Sequence, residues 1–159
     1  NYIMKNKVLL ICLCVLLSAC GVQNSASFYG MKSQLLRTEY DGTYVIRAAG
    51  MGDNSASAMQ EARKTAVYDV IFKGVASANS KIPSLKPLLL EVNAENKYQD
   101  YFNAFFADGG IYEDFISIRD KRAGSSSYHR NKSGIQCHTD VSVDVAALKN
   151  KLKEDNILK

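Results

Sequence analysis

The sequence predicts an α+β domain: a small antiparallel sheet of three or more strands with helices packed on one face, in the order β-α-α-β-β-α. Three observations carry that expectation. From Gly134 to Val145 the chain alternates, with Ile135, Cys137, Thr139, Val141, Val143 and Val145 on one face and Gln136, His138, Asp140, Ser142 and Asp144 on the other, as a strand with one buried and one wet side does. Met59, Ala62, Ala66 and Val70, joined by Arg63, Val67 and Ile71, trace a helical stripe. The small residues Ala58, Ala62 and Ala66 let this helix sit close to a sheet.

Taken in order, the chain opens with a segment read as a leader. Met4 is the first methionine, so Asn1 to Ile3 are expected to lie upstream of the start. Lys5 and Lys7 form a short basic region, and Val8 to Leu17 is unbroken apolar. That layout is a secretory signal peptide; a membrane-spanning helix needs about 20 apolar residues. Leu17-Ser18-Ala19-Cys20-Gly21 resembles the lipobox of bacterial lipoproteins. The resemblance implies cleavage before Cys20 and acylation of its thiol and new amine by palmitate-like chains. Gly21 stands where an Asp would resemble an inner-membrane retention signal, and no acidic cluster follows. Both features point to an outer-membrane lipoprotein facing the periplasm.

The expected division is a signal peptide over 1–19, the lipidated Cys20 and a polar tether over 20–40, and one α+β domain over 41–159. Removing the leader takes Lys5 and Lys7 away, so Lys plus Arg falls from 20 to 18 against 16 acids. A balance so near neutral gives no reason to expect nucleic acid or an acidic surface as a partner. Cys12 and Cys14 leave with the leader and Cys20 is acylated, so Cys137 has no intramolecular disulfide partner.

The domain is expected to begin at the Asp41-Gly42 turn. Thr43 to Ala49 reads as the first strand, and Gly50-Met51-Gly52-Asp53-Asn54-Ser55 links it to the Ala-rich helix, capped by Asn54 or Ser55 and ended by Gly74. Ser77 to Leu90 reads as a loop punctuated by Pro83 and Pro87, its Leu88-Leu89-Leu90 run plugging the core. A second helix starts near Asn93, with Tyr98, Tyr101, Phe102, Phe105 and Phe106 in one stripe, and Asp108-Gly109-Gly110 closes it. Ile111 to Arg119 reads as a second strand, Lys121 to Ser133 as a polar hairpin loop, Gly134 to Val145 as a third strand. Ala146 to Ile157 reads as a last helix with Leu148 and Leu152 inward.

Gly50-x-Gly52, Glu61-Ala62-Arg63 with Ala66, Val70 to Val75 and Tyr101-Phe102-x-x-Phe105-Phe106 resemble a family of uncharacterised bacterial envelope lipoproteins. More distantly, the strand, Gly, Ala-Arg-x-x-Ala helix and strand pair are similar to the N-terminal domain of the flagellar assembly protein FlgT and related small outer-membrane lipoproteins. That resemblance implies a module of envelope assembly. The aromatic second helix and the Pro-bearing loop depart from it, and only Cys20 carries over as a functional residue.

No catalytic constellation is legible, no metal site is expected, and no cofactor is implied. Gly50-Met51-Gly52 lacks the third glycine of a dinucleotide fingerprint, Ser55 standing in its place. Cys137 and His138 are strand neighbours and point to opposite faces, so they cannot share an ion. His129 falls in the expected hairpin loop and reads as solvated. Asp140 and Asp144 lie on one strand face about 13 Å apart at about 3.3 Å per residue, too far for paired glycosidase carboxylates at about 5 to 9.5 Å. The aromatic stripe reads as core, with Tyr98 and Tyr101 the residues that would meet a partner at its wet edge. The expected function is a non-enzymatic binding or assembly module, anchored on the membrane and meeting an envelope protein or a second copy. The alternative is a small-ligand binder or hydrolase with a pocket between the aromatic helix and the Pro83 to Leu90 loop.

Overall fold

The structure, a computed structural model, describes residues 32–117 and 126–159. Cys20, the leader and the tether as far as residue 31 lie outside the described residues. The fold is α+β: a five-stranded, mostly antiparallel sheet in the order β3-β1-β2-β5-β4. The strands are β1 (Gln34–Thr38), β2 (Thr43–Gly52), β3 (Ala76–Ser77), β4 (Ser127–Asn131) and β5 (Gly134–Asp144). The helices are α1 (Ser55–Tyr68), α2 (Ala94–Lys97), α3 (Gln99–Phe105) and α4 (Val145–Glu154).

The long pair β2–β5 is the spine of the sheet, antiparallel from Thr43 against Asp144 to Gly52 against Ile135. Its inward residues Ile46, Ala48, Val141 and Val143 join Val67, Val70 and Ile71 of the first helical segment and Leu148 and Leu152 of α4 in one buried cluster. On the other face Arg47 holds Asp140 with two bonds of 2.8 and 3.2 Å. The inward set expected for the third strand, Ile135 through Val145, is buried throughout.

α1 begins as expected at Asn54, whose side chain accepts from the Ser57 N–H at 2.9 Å while the Ser57 hydroxyl accepts from the Asn54 N–H. Ala58, Ala62 and Ala66 are fully buried against the sheet. Gly50 and Gly52 make that approach possible. They belong to β2 rather than to a connecting turn, and a Cβ on Gly50 would stand 2.2 Å from the Ala62 nitrogen. α1 does not run unchanged to Gly74: it widens into a π-helical turn over Asp69–Lys73, which Gly74 ends at φ +74°.

Several elements differ from expectation. The sheet takes in β1, so the ordered domain starts before Asp41, inside the segment read as tether. Leu35 is fully buried there, and a bulge at Leu36 conceals the alternation. Ile111 to Arg119 is not a strand. A 3₁₀ turn covers Ile111–Phe115, placing Tyr112 and Phe115 on one buried side three residues apart, and only Ile116 bridges to Val143. Residues 118–119 lie outside the described residues, as do 120–125.

The expected hairpin loop instead contains β4, an edge strand whose five residues are all exposed. It pairs with β5 through Asn131 opposite Gly134, leaving Lys132-Ser133 as the turn. The second helix is broken at Tyr98 into α2 and α3.

Candidate functional site

A cleft of about 560 Å³ opens where the first helical segment ends. The π turn builds its floor by turning Asp69 inward and leaving Lys73 at the rim. Lys32 and Ser33, just before β1, supply the second wall. Ser84 to Pro87 supplies the third. This last segment is held by backbone: Val75 and Leu85 exchange hydrogen bonds, and the Leu88 and Leu89 N–H groups donate to the Val70 and Ile71 carbonyls at 3.0 and 2.9 Å. These bonds satisfy carbonyls that the end of a helix leaves open. Gly74 is required because a Cβ there would meet the Leu85 carbonyl at 2.7 Å in a backbone conformation that side chains disfavour.

Asp69 is a buried carboxylate inside an apolar helix, a position that needs partners. Its Oδ2 accepts a 2.5 Å hydrogen bond from the Ser33 hydroxyl, itself buried. Its Oδ1 has no hydrogen bond; Lys73 Nζ lies 3.4 Å away, an ion contact without hydrogen-bond geometry. The Lys73 ammonium also sits 4.9 Å from the centre of the Tyr68 ring. Lys32 and Lys86 are exposed at the rim and enter none of the ion pairs found among the described residues. Beyond Pro87, Leu89 is buried, while Leu90 and Val92 stand 77% and 84% exposed.

The expected plug is therefore one leucine deep. Leu88 is half-buried against the main cluster and Leu90 faces solvent.

Tyr98 and Tyr101 are half-buried and pack against the same core as Phe102 and Phe105. The Tyr101 ring meets Phe102 edge-on at 5.0 Å, and its hydroxyl donates to Asp155 Oδ2 at 2.7 Å. Burial first, and then the neighbouring carboxylate, push its phenol well above the ordinary range. Lys151 first, and Tyr101 second, hold Asp155 below the usual carboxylate range. Tyr98 carries Lys97 Nζ 4.8 Å from its ring centre. Phe72 and Phe102 meet edge-on at 4.7 Å beside this helix. The cleft is lined by the Ser84 to Pro87 part of the Pro83 to Leu90 loop and by the π turn, and by no residue of the aromatic helix.

The remaining polar candidates have structural work. Asp140 holds Arg47, and Asp144 caps α4 by accepting from the Ala147 N–H at 2.9 Å. Cys137 is fully buried, and desolvation pushes its thiol up. His138 lies on the opposite face from Cys137, and its ring is 6.3 Å from that of His129, which β4 brings alongside. Among the described residues no three His, Cys, Asp or Glu side chains gather closely enough to hold a metal ion, and no described helix is long and apolar enough to cross a membrane.

Sequence reasoning missed the cleft, though one signal was present: Asp69 stands three residues after Ala66, on the apolar stripe. The chain matches no protein-family model, and no curated protein or solved structure matches it.

Proposed function

We propose that the chain is a membrane-anchored lipoprotein of the bacterial envelope whose domain is a non-enzymatic binding or assembly module. The observation that carries this reading is the sequence from Lys5 to Cys20: a basic flank, an apolar run and Leu17-Ser18-Ala19-Cys20. Two or three acyl chains on Cys20 give a durable hold, each buried methylene contributing about 0.8 kcal/mol. The geometry supports a module over an enzyme because the residues that might have carried chemistry are already engaged. Gly50 and Gly52 seat α1, Asp140 and Asp144 serve an ion pair and a helix cap, and Cys137 is buried. The large exposed apolar side chains include Tyr40, in the turn between β1 and β2, and Leu90 and Val92 beside the cleft.

The test is a crosslinking pull-down of the intact protein from its native membranes, with Cys20→Ser as the unanchored control. A specific envelope protein, or a second copy, should be recovered with the wild type and weakened in the control. Recovery of the protein alone, still membrane-bound, would overturn the assembly reading and favour a small-ligand binder.

A further inference from the structure

Lys32 and Ser33, just before β1, line the cleft with Lys73 and Lys86, and Leu90 and Val92 follow shortly after its Ser84 to Pro87 wall in the chain. Asp69 and Lys73 belong to the π turn, and Leu88 and Leu89 are bonded to its carbonyls, so Leu90 follows directly from the same turn. Three ammonium groups face one carboxylate there, and that carboxylate is buried with Lys73 against it. Among the described residues the rim lysines Lys32 and Lys86 enter no ion pair. Leu90 and Val92 project from a backbone fixed on both sides, by the Leu89 bond before them and by α2 after them. Glu91, between them in the chain, is bonded to Lys97 at 2.6 Å, and the Lys97 ammonium lies 4.8 Å from the Tyr98 ring centre.

We propose that the domain docks by this cleft on an anionic phospholipid surface, with a headgroup phosphate seated between Lys32 and Lys86 and with Leu90 and Val92 reaching the acyl boundary. The proposal rests on the anchored-lipoprotein reading and names the surface against which the module lies. Two arguments select lipid as the occupant. Charge is complementary: an anionic leaflet attracts lysines near its surface, and aliphatic side chains beside them add buried apolar area. Chain length also agrees. Lys32 is twelve positions after Cys20, so the cleft can lie at most about 40 Å along the chain from the acylated residue. The turn carrying Tyr40 is at the far end of β1, about 20 Å from Ser33 at strand spacing. Docking would therefore turn Tyr40 away from the bilayer, towards protein partners.

The experiment uses the processed chain, residues 20–159 with Cys20→Ser, so that no acyl chain contributes. Its binding to phosphatidylglycerol-containing vesicles is compared with binding to phosphatidylcholine vesicles at two salt concentrations. Binding should require the anionic lipid and weaken with salt. Lys32→Gln with Lys86→Gln should weaken it by roughly fivefold per lysine. Leu90→Ser with Val92→Ser should weaken it further, and Tyr40→Ser should leave it unchanged. Lys73 is kept because it counters the buried Asp69. All five positions are exposed, so melting temperatures should match the parent and show that each variant folds. Equal binding to neutral vesicles, no binding, or loss with Tyr40→Ser overturns the proposal. So does a photocrosslinker at Val92 that captures protein instead of lipid in cells. Labelling of the wild type with a palmitate analogue reads the anchor separately: labelled Cys20 without vesicle binding overturns the docking surface alone, and absent label overturns the anchor.

Discussion

Ser33 and Asp69, thirty-six positions apart, are joined by a 2.5 Å hydrogen bond in which the serine hydroxyl donates to a buried carboxylate. The bond ties the residue before β1 to the π turn that ends the first helical segment. The other carboxylate oxygen already lacks a hydrogen bond, so among the described residues the Ser33 hydroxyl is the hydrogen-bond donor to this side chain. Ser33→Ala should lower stability by about 1–3 kcal/mol, the cost of leaving a buried acceptor unsatisfied. Urea denaturation of the two proteins measures it. An unchanged midpoint would mean that water replaces the hydroxyl and that the link carries no weight.

Gly50→Ala should destabilise the fold strongly. The added methyl group would meet the Ala62 nitrogen, the Ala58 carbonyl and the Glu61 backbone, none of which can rotate away. The cost is expected at or above the roughly 1–3 kcal/mol typical of overpacking. Gly42→Ala is the comparison, since nothing lies within 4 Å of that position, and it carries only the penalty of its φ of +86°. A Gly50 variant as stable as the parent would contradict the close seating of α1 on β2.

These two positions also mark how far the sequence could be read. Strong periodicity transferred directly: the inward set from Ile135 to Val143, the Asn54 cap and the Gly74 stop are where the pattern placed them. The failures share a cause, which is that local pattern was overruled by what the neighbouring strand or core demanded. β1 hides behind a bulge at Leu36. β4 has no apolar alternation because it is an edge strand exposed on every residue. Ile111 to Phe115 resembles a strand by composition, yet Tyr112 and Phe115 must both reach the aromatic core and so wind into a 3₁₀ turn. The cleft was invisible because its walls come from three separate segments, and only Asp69 on the apolar stripe hinted at it.

The Cys137 thiol should be inert in the folded protein. It is fully buried, and desolvation, the largest influence on it, raises its pKa, so the reactive thiolate is disfavoured at neutral pH. A thiol reagent applied at pH 8 to the processed chain with Cys20→Ser should modify it slowly, and rapidly once denaturant is added. Fast modification of the native protein would show that the strand pair β4–β5 opens.

Stability should fall at both ends of the pH scale, for identifiable reasons. Asp155 has a folded pKa below its unfolded one, so its contribution is present above the ordinary carboxylate value near 4 and is lost as pH falls through the lower folded value. Tyr112 is pushed up to about 12, mainly by burial, and Tyr101 is raised as well. Their contributions are complete below about pH 10, the unfolded tyrosine value, and are lost as pH rises beyond it. Tyr101→Phe should cost about 1 kcal/mol at neutral pH, since the bond is only part-buried, and should flatten the acid limb. Melting curves across pH test this; an acid limb identical in the variant would remove Tyr101 from the account.

The central claim is that Cys20 is the acylated first residue of the processed protein. Mass spectrometry of the N-terminal peptide from native membranes tests it most directly. The expected result is a peptide beginning at Cys20, with residues 1–19 absent and acyl chains on the thiol and amine. A free Cys20 thiol, or a chain still carrying the Val8 to Leu17 run, would contradict it.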